Sequence, residues 1–576
     1  MSILVNGTEN VVRESAAFVF NTVDYVVFVV MLSISAAIGV YFGFFSKGAD
    51  TTEEYLMGGK RMKTLPIAIS LVASQLSAIS IMTIPAEMYA YGINWIFNVI
   101  CMIVVVPLLN YVIIPVFYNN NISNCYEYLE LRFDRNTRQW QTLIFVVFLF
   151  LMLPIFIFLP SLAFSQVTGF NVHIINSIVC SICVFYTMFG GIKAVVWTDV
   201  VQAAVMVGSV VLVGILGTNN VGGFAEVVRI AGAGERLTVN FAFDLTTRST
   251  FWNIFGSATV MWTSYVGLNQ SCVQRIVSLP SLGHARRSLV VFGIGFVVIM
   301  FFNCYTGIVM YVRYHGCDPM LQGVVEKVDK MVPYFVQDVV GHLKGMPGVF
   351  ISCVFSAALS TMSASLNSLA GIIYFDYIKP HIHHTEHKAN IVMKLFIFSV
   401  GVFCILGGIF VSKFSSLLQI IYCIGGIIFG SIGGVFLLGM LIPRAHSRAA
   451  LAGVFVSIAC ISIIVIGSWG RIHYPTLPTS TQSCPAPNTT TTTKPTMLRE
   501  PQDNEWSIFN LSFNWYAFVG FIITWIVAIP LSYIIPPSSS FKLDPKLLSP
   551  VIRPFVKYEQ TQVDETYDLK CDKLKA

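Results

Sequence analysis

The chain has 576 residues, of which 55% are hydrophobic and 11% charged, with a formal net charge of +6. A soluble globular domain is about 25% charged, so the composition excludes that class and points to an all-α polytopic protein whose core lies in a lipid bilayer. The small basic excess is accounted for by short cytoplasmic loops and calls for no nucleic acid.

Thirteen hydrophobic spans of membrane length are expected, at about 22–45, 65–90, 95–118, 140–165, 172–190, 197–217, 250–272, 288–313, 347–374, 391–411, 415–441, 449–469 and 514–535. The polar, acidic stretch before the first span, 1–21, is not expected to be a cleavable leader, because the apolar run that follows is too long for one. Every second loop is basic. Lys47, Lys60, Arg61 and Lys63 follow the first span, and Arg132, Arg135 and Arg138 the third. Lys193 follows the fifth, Arg275, Arg286 and Arg287 the seventh, and Lys379 and Lys388 the ninth. Arg444 and Arg448 follow the eleventh, and Lys542, Lys546, Arg553 and Lys557 the last. These loops are expected inside, which puts the N-terminus outside and the 536–576 tail in the cytoplasm, in a multi-pass arrangement at the plasma membrane.

The glycosylation sequons at Asn6, Asn488 and Asn510 fall in expected outer segments, whereas Asn121 falls inside. The outer segment from about 470 to 513 is rich in Thr, Pro and Asn and is expected to lack a packed core. Two further outer loops are long, 218–249 and 314–346, and the second has helical periodicity. The polar tail beyond Pro536 is expected to be disordered. Most of the 13 cysteines lie in apolar spans and read as small hydrophobes. Cys317 and Cys484 lie in expected outer loops, and whether they pair is left open.

Polar residues inside the spans mark where chemistry is possible. The second span, LPIAISLVASQLSAISIMTIPAEMYAYG, carries Ser70, Ser74, Gln75, Ser77 and Ser80 at its middle and Pro66 and Pro85 near its ends. That pattern fits a broken helix, whose unwound carbonyls coordinate ions in transporters; it also fits a whole helix whose serines bond their own backbone. Asp199 stands near the start of an otherwise uncharged sixth span, either as a functional acid or as a helix cap. Trp262 in the seventh span is either a packing ring or a pocket wall. The ninth span holds Ser352, Ser356, Ser360, Thr361, Ser363, Ser365 and Ser368, and Ala357, Ser360 and Thr361 share one helical face. A column of hydroxyls in a neutral helix suits a desolvated hard cation such as Na⁺; close helix packing is the alternative. There is no pair of catalytic acids, no Ser/His/Asp set and no HExxH, so an enzyme is not expected.

The stretches GGIKAVVWTDVVQ (190–202), NQSCVQR (269–275), NNISNCYEYLELRF (120–133) and FSAALSTMSASLNSLAG (355–371) resemble the signature segments of the sodium/solute symporter family, in the branch of sodium/iodide, sodium/monocarboxylate and sodium/multivitamin transporters. The resemblance runs in order over roughly 20–540. It implies a LeuT-type fold of two inverted five-helix repeats, about 65–217 and 250–441, inside a transporter domain of 22–535. It implies a Na⁺ site made by the carbonyls of Ala73, Leu76 and Ala357 and the hydroxyls of Ser360 and Thr361. A second Na⁺ site falls at Asp199, Ser360 and Ser363, where Ala364 replaces a hydroxyl found in some relatives. The implied substrate pocket comprises Ser77, Ser80, Ile84, Asn98, Met152, Trp262 and Tyr422. Ser80 stands where the iodide transporter has Gln, and Met152 where that branch has Tyr. The expected function is therefore sodium-coupled symport of a small monovalent organic anion, such as a monocarboxylate or vitamin, by alternating access. Iodide or another small anion, and a sodium-linked sensor or leak, are the alternatives.

Overall fold

The computed structural model describes residues 20–41, 62–122, 124–325, 328–382, 385–412, 417–468, 474–484, 507–536 and 543–556. Every regular element among them is helical. Among these residues ten helices are long and apolar enough to cross a membrane, and one bent pair makes an eleventh. The chain is thus an all-α polytopic membrane protein.

In order, α1 covers Thr22–Val40, α2 Thr64–Gln75, α3 Ala78–Tyr91 and α4 Ile93–Asn119. The short α5 (Glu127–Arg132) precedes α6 (Arg135–Thr168) and α7 (Val172–Asn220). Next come α8 (Phe224–Ala233), α9 (Phe251–Gly267), α10 (Gln270–Val277) and α11 (Leu282–Tyr314). Then follow α12 (Met331–Val340), α13 (Met346–Ile373), α14 (Glu386–Val411), α15 (Leu417–Leu441), α16 (Ser447–Ser468) and α17 (Tyr516–Ile534).

Three differences from expectation bear on span counting. The expected loop near Lys193 is absent as a break: α7 is helical throughout, and its apolar stretches Val172–Phe189 and Ala194–Asn220 each have the length and hydropathy of a span. The seventh span is two helices, α9 and α10, parted at Leu268 and Asn269. The first span is apolar over Thr22–Ile38, shorter than a full crossing. At 1.5 Å per residue, a 17-residue helix such as α9 reaches about 26 Å against a hydrocarbon core of about 30 Å.

The centre of the molecule is α13. It is buried almost along its whole length and packs against α7, α6, α1, α14 and α2. Small side chains allow that density: 13 of its 28 residues, in MPGVFISCVFSAALSTMSASLNSLAGII, are Gly, Ala, Ser or Thr. Where α11 crosses α3, Gly307 supplies the clearance, because a Cβ there would stand 2.3 Å from the Pro85 carbonyl oxygen.

The expected helix in the second long outer loop is α12. The outer segment expected to lack packing is instead tied down over 474–484. Cys484 is bonded to Cys317, Leu477 N–H donates to the Ala90 carbonyl, and Asp318 N–H donates to that of Ser480. Part of the tail is ordered too: Ser549 N–H donates to the Met440 carbonyl, and Asn120 Nδ2 to that of Lys546. Asn510 lies half-buried in a short 3₁₀ turn, Ile508–Asn510. Asn6 and Asn488, like Lys47, Lys60 and Arg61, lie outside the described residues.

Candidate functional site

The second span is broken. Its halves α2 and α3 meet at 57° across Leu76 and Ser77. Leu76 has extended backbone (φ −91°, ψ 93°), so the turn before it loses its onward i→i+4 donors. Ser77 then starts α3 as its N-cap, its Oγ accepting from Ser80 N–H at 3.4 Å. Ser74 follows the other expectation and bonds back to the Leu71 carbonyl at 3.1 Å. Nearby, Gln75 Nε2 donates to Cys272 Sγ at 2.8 Å, and its Oε1 is buried without a partner.

The hydroxyl face of α13 lies against this break. Thr361 Oγ1 is within hydrogen-bond distance of two carbonyls, Ser74 of α2 at 3.2 Å and Ala357 one turn back at 3.0 Å. Ala73, Leu76, Ala357 and Ser360 are wholly buried, and Thr361 nearly so. A hydroxyl that donates its hydrogen keeps oxygen lone pairs. The Ser74 and Ala357 carbonyls and the Thr361 hydroxyl between them are neutral oxygen ligands of the kind a hard cation takes.

One turn away sits a buried charge. Asp199 is fully buried in mid-α7. It is not a helix cap, because α7 continues through it and Thr198 bonds back to the Ala194 and Val195 carbonyls. Asp199 Oδ1 accepts from Ser360 Oγ at 2.6 Å, and Oδ2 from Ser70 Oγ at 2.6 Å and Arg275 Nη2 at 3.0 Å. The carboxylate therefore links α2, α7, α10 and α13. Ser363 Oγ donates to the Ser360 carbonyl at 3.1 Å rather than to Asp199.

The expected pocket residues fall into two groups. Trp262 Nε1 donates to Asn98 Oδ1 at 2.7 Å, and the Trp262 ring packs edge-on to Phe296 and Tyr265. Tyr422 meets Trp95 edge-on, with centroids 5.2 Å apart, and its hydroxyl interacts with Asn98. Asn98, Trp262 and Tyr422 thus form one cluster joining α4, α9 and α15. Ser77 and Ser80 sit half-buried at the start of α3, and Ile84 is buried further along it. Met152 is buried on α6.

Sequence reasoning missed three features. The second break puts Asn269 at the N-cap of α10, its Oδ1 accepting from Ser271 N–H at 3.0 Å; the Gly267-Leu-Asn269 sequence was the available signal. The Asp199–Arg275 pair left no local signal. Nor did a buried outer pair in which Arg248 Nε and Nη2 each donate to a Glu87 oxygen at 2.7 Å. The Arg248 guanidinium also lies over the rings of Tyr91, Tyr474 and Phe513. Burial works against its charge, but Glu87 outweighs burial and holds the group above its ordinary range.

Comparisons with known proteins show the family and the fold. The model of the Sodium:solute symporter family matches residues 55–457. The chain is similar to sodium-coupled monocarboxylate transporter 2 of Mus musculus, at 35% identity over 93% of this chain and 87% of that protein. It is likewise similar to the sodium/iodide cotransporter of Homo sapiens, at 35% identity over 78% of this chain and 70% of that protein. A solved structure of a Na⁺-coupled sialic acid symporter, outward-open and substrate-bound, superposes with a TM-score of 0.75 at 25% identity, covering 91% of this chain and 100% of the other.

Proposed function

We propose, from the premise that this chain belongs to the sodium:solute symporter family, that it carries a small monovalent organic anion of the monocarboxylate class into the cell together with Na⁺. The protein is a sodium-coupled symporter and not an enzyme. The carboxylate assignment draws on the named cargo of its monocarboxylate-transporting relatives.

The observation that carries the reading is the Thr361 hydroxyl set between the Ser74 and Ala357 carbonyls, at the break between α2 and α3. In this reading the Ala73, Leu76 and Ala357 carbonyls and the Ser360 and Thr361 hydroxyls hold one Na⁺, and Asp199, Ser360 and Ser363 hold a second. The cargo binds beside the break among Ser77, Ser80, Ile84, Asn98, Met152, Trp262 and Tyr422. The fold is the LeuT-type pair of inverted repeats, about 65–217 and 250–441, with 13 crossings, the N-terminus outside and the 536–576 tail inside. Asn6, Asn488 and Asn510 carry glycans on the outer face of the plasma membrane.

The mechanism follows from which state each ligand favours. Na⁺ bridging the break and α13 fixes α2 and α3 against the hydroxyl face and shapes the neighbouring pocket. The outward-open state is the one Na⁺ favours, and cargo in the pocket then permits outer closure and inner opening; coupling requires that the two ligands bind one state preferentially. Each Na⁺ charge crossing the field gains about 2.3 kcal/mol per 100 mV.

The test is a radiotracer panel of lactate, pyruvate, butyrate, nicotinate, biotin, pantothenate, iodide and a sugar, in external sodium and in choline. Sodium-dependent accumulation of the short monocarboxylates is expected. Uptake of iodide alone favours the second reading, which the similarity to the sodium/iodide cotransporter supports. Ligand binding without accumulation against a gradient means a sensor or leak. Fluxes indifferent to choline overturn the sodium-site assignment.

A further inference from the structure

The second helix break brings a cation deep into the protein. Arg275, on α10, is 1% exposed. It reaches Asp199 through Nη2 alone, while its Nε and Nη1 are buried and have no partner. Asp199, by contrast, has a donor on each oxygen, Ser360 on Oδ1 and Ser70 and Arg275 on Oδ2. A guanidinium presents five N–H donors in a flat fork that matches a carboxylate. Leaving charged donors buried and unpaired is more costly than leaving neutral ones. The guanidinium is therefore only partly neutralised, and free donors remain on both of its edges.

We propose that the Arg275 guanidinium is a carboxylate-binding station on the inner side of the two helix breaks. The inference rests on the monocarboxylate reading above and adds to it where the anion is held on its way to the cytoplasm. The station lies below the first sodium site. Ser70, which shares Asp199 with Arg275, precedes Ser74 by one turn on the side of Lys63, and Ser360 follows Ala357 by one turn toward the inner end of α13.

Charge balance gives the station a role in coupling. Asp199 and Arg275 cancel each other. A Na⁺ arriving at Asp199 leaves one surplus positive charge in a buried place. Such a charge is strongly disfavoured unless compensated. A carboxylate on the free edge of Arg275 supplies the compensation, so cation and anion favour each other's presence without touching.

The experiment measures butyrate flux in both directions through the full-length protein, in cells and in sided proteoliposomes. Arg275→Lys keeps a charge for Asp199 but loses the fork. The double change Asp199→Asn with Arg275→Gln removes both charges together and avoids an unpaired buried carboxylate. For Arg275→Lys the expected result is a rise of about tenfold or more in the KM for efflux, with the KM for influx within about twofold of wild type, since a charge-assisted bond is lost on the inner side only; the double change, which also alters the second sodium site, is expected to raise the efflux KM at least as much and is read on that KM alone. An unchanged efflux KM in the Lys variant overturns the proposal, because the fork is then unnecessary. Equal rises on both sides in that variant also overturn it, because they describe a general structural role. A wild-type protein that carries iodide but no butyrate removes the monocarboxylate reading itself, a failure seen before any variant is compared.

Discussion

Ser360 and Thr361 are neighbours that direct their hydroxyl protons differently: Ser360 to the Asp199 carboxylate, Thr361 to backbone carbonyls. Thr361→Ala should therefore act on the sodium site alone, and Ser360→Ala on both that site and the charge beside it. Both are expected to raise the half-saturating sodium concentration with surface expression retained, Thr361→Ala several-fold for a lost bond of about 1 kcal/mol and Ser360→Ala by more, because its bond to a charged group is worth about 1.5–3 kcal/mol. Sodium titrations of uptake, normalised to surface biotinylation, measure this. Unchanged sodium affinity in both variants removes the site. Asp199→Asn is a harsher change, because it leaves Arg275 buried without its counter-charge; breaking such a pair costs about 3–5 kcal/mol. It should lower the folded fraction at the surface more than Asp199→Asn combined with Arg275→Gln does. At this scale the sequence told half the story. The hydroxyl face of Ala357, Ser360 and Thr361 was legible because helical spacing alone puts those residues together. The partner of Asp199 was not, because Arg275 lies 76 residues away and no local pattern encodes that distance.

Among the elements, the break between α2 and α3 was legible, since polar residues in the middle of an apolar span between two prolines need a reason. The break between α9 and α10 was not, because a two-residue interruption without proline barely disturbs a hydropathy window. The run from α7's first apolar stretch to its second misled in the opposite sense: the stretch holding Lys193, between the spans expected at 172–190 and 197–217, read as a loop, but the backbone stays helical. Crossing geometry gives a prediction here. Gly307 on α11 faces atoms fixed to the α3 backbone: from a built Cβ the Pro85 carbonyl oxygen is at 2.3 Å, the Met88 Cβ at 2.6 Å and the Pro85 Cα at 2.8 Å. A backbone neighbour cannot swing aside, so Gly307→Ala must push α11 off α3, at about 1–3 kcal/mol for overpacking. A lowered melting temperature in detergent-based thermal unfolding is the expected result. Melting as wild type would mean that α3 shifts freely.

For the whole molecule, the face built from the loops expected outside is the more surprising part, because a segment with the composition of a loose linker is fastened at several points. Arg236 Nη2 donates to the Leu477 and Pro478 carbonyls at 3.0 and 3.1 Å, and Thr479 Oγ1 to Asp318 Oδ2 at 2.5 Å. The Cys317–Cys484 bond closes the same strap. Composition could not foretell this, because the fastening groups come from α8's flank, α11's end and the strap itself. Cys484→Ser should lower stability by about 2–4 kcal/mol, read as a melting temperature that no longer responds to reductant. The Glu87–Arg248 pair beside the strap is buried, with side-chain exposures of 4% and 13%. Glu87→Gln alone should reduce surface expression more than Glu87→Gln with Arg248→Gln, because the single change strands a charge. Equal expression in the two would show that the rings of Tyr91, Tyr474 and Phe513 suffice to hold the guanidinium.

The ordered stretch of the tail has a mechanical corollary. Its Lys546 carbonyl is held by Asn120 at the end of α4, and its Ser549 amide by Met440 near the end of α15. Those two anchors belong to opposite repeats in the proposed architecture. A ribbon pinned to both sides of an opening door must come unpinned on one of them whenever the door swings. Tryptic cutting after Lys546 should therefore follow the working cycle, faster in whichever ion and cargo condition opens the inner side, and a cutting rate blind to those conditions would mean that the two anchors travel together.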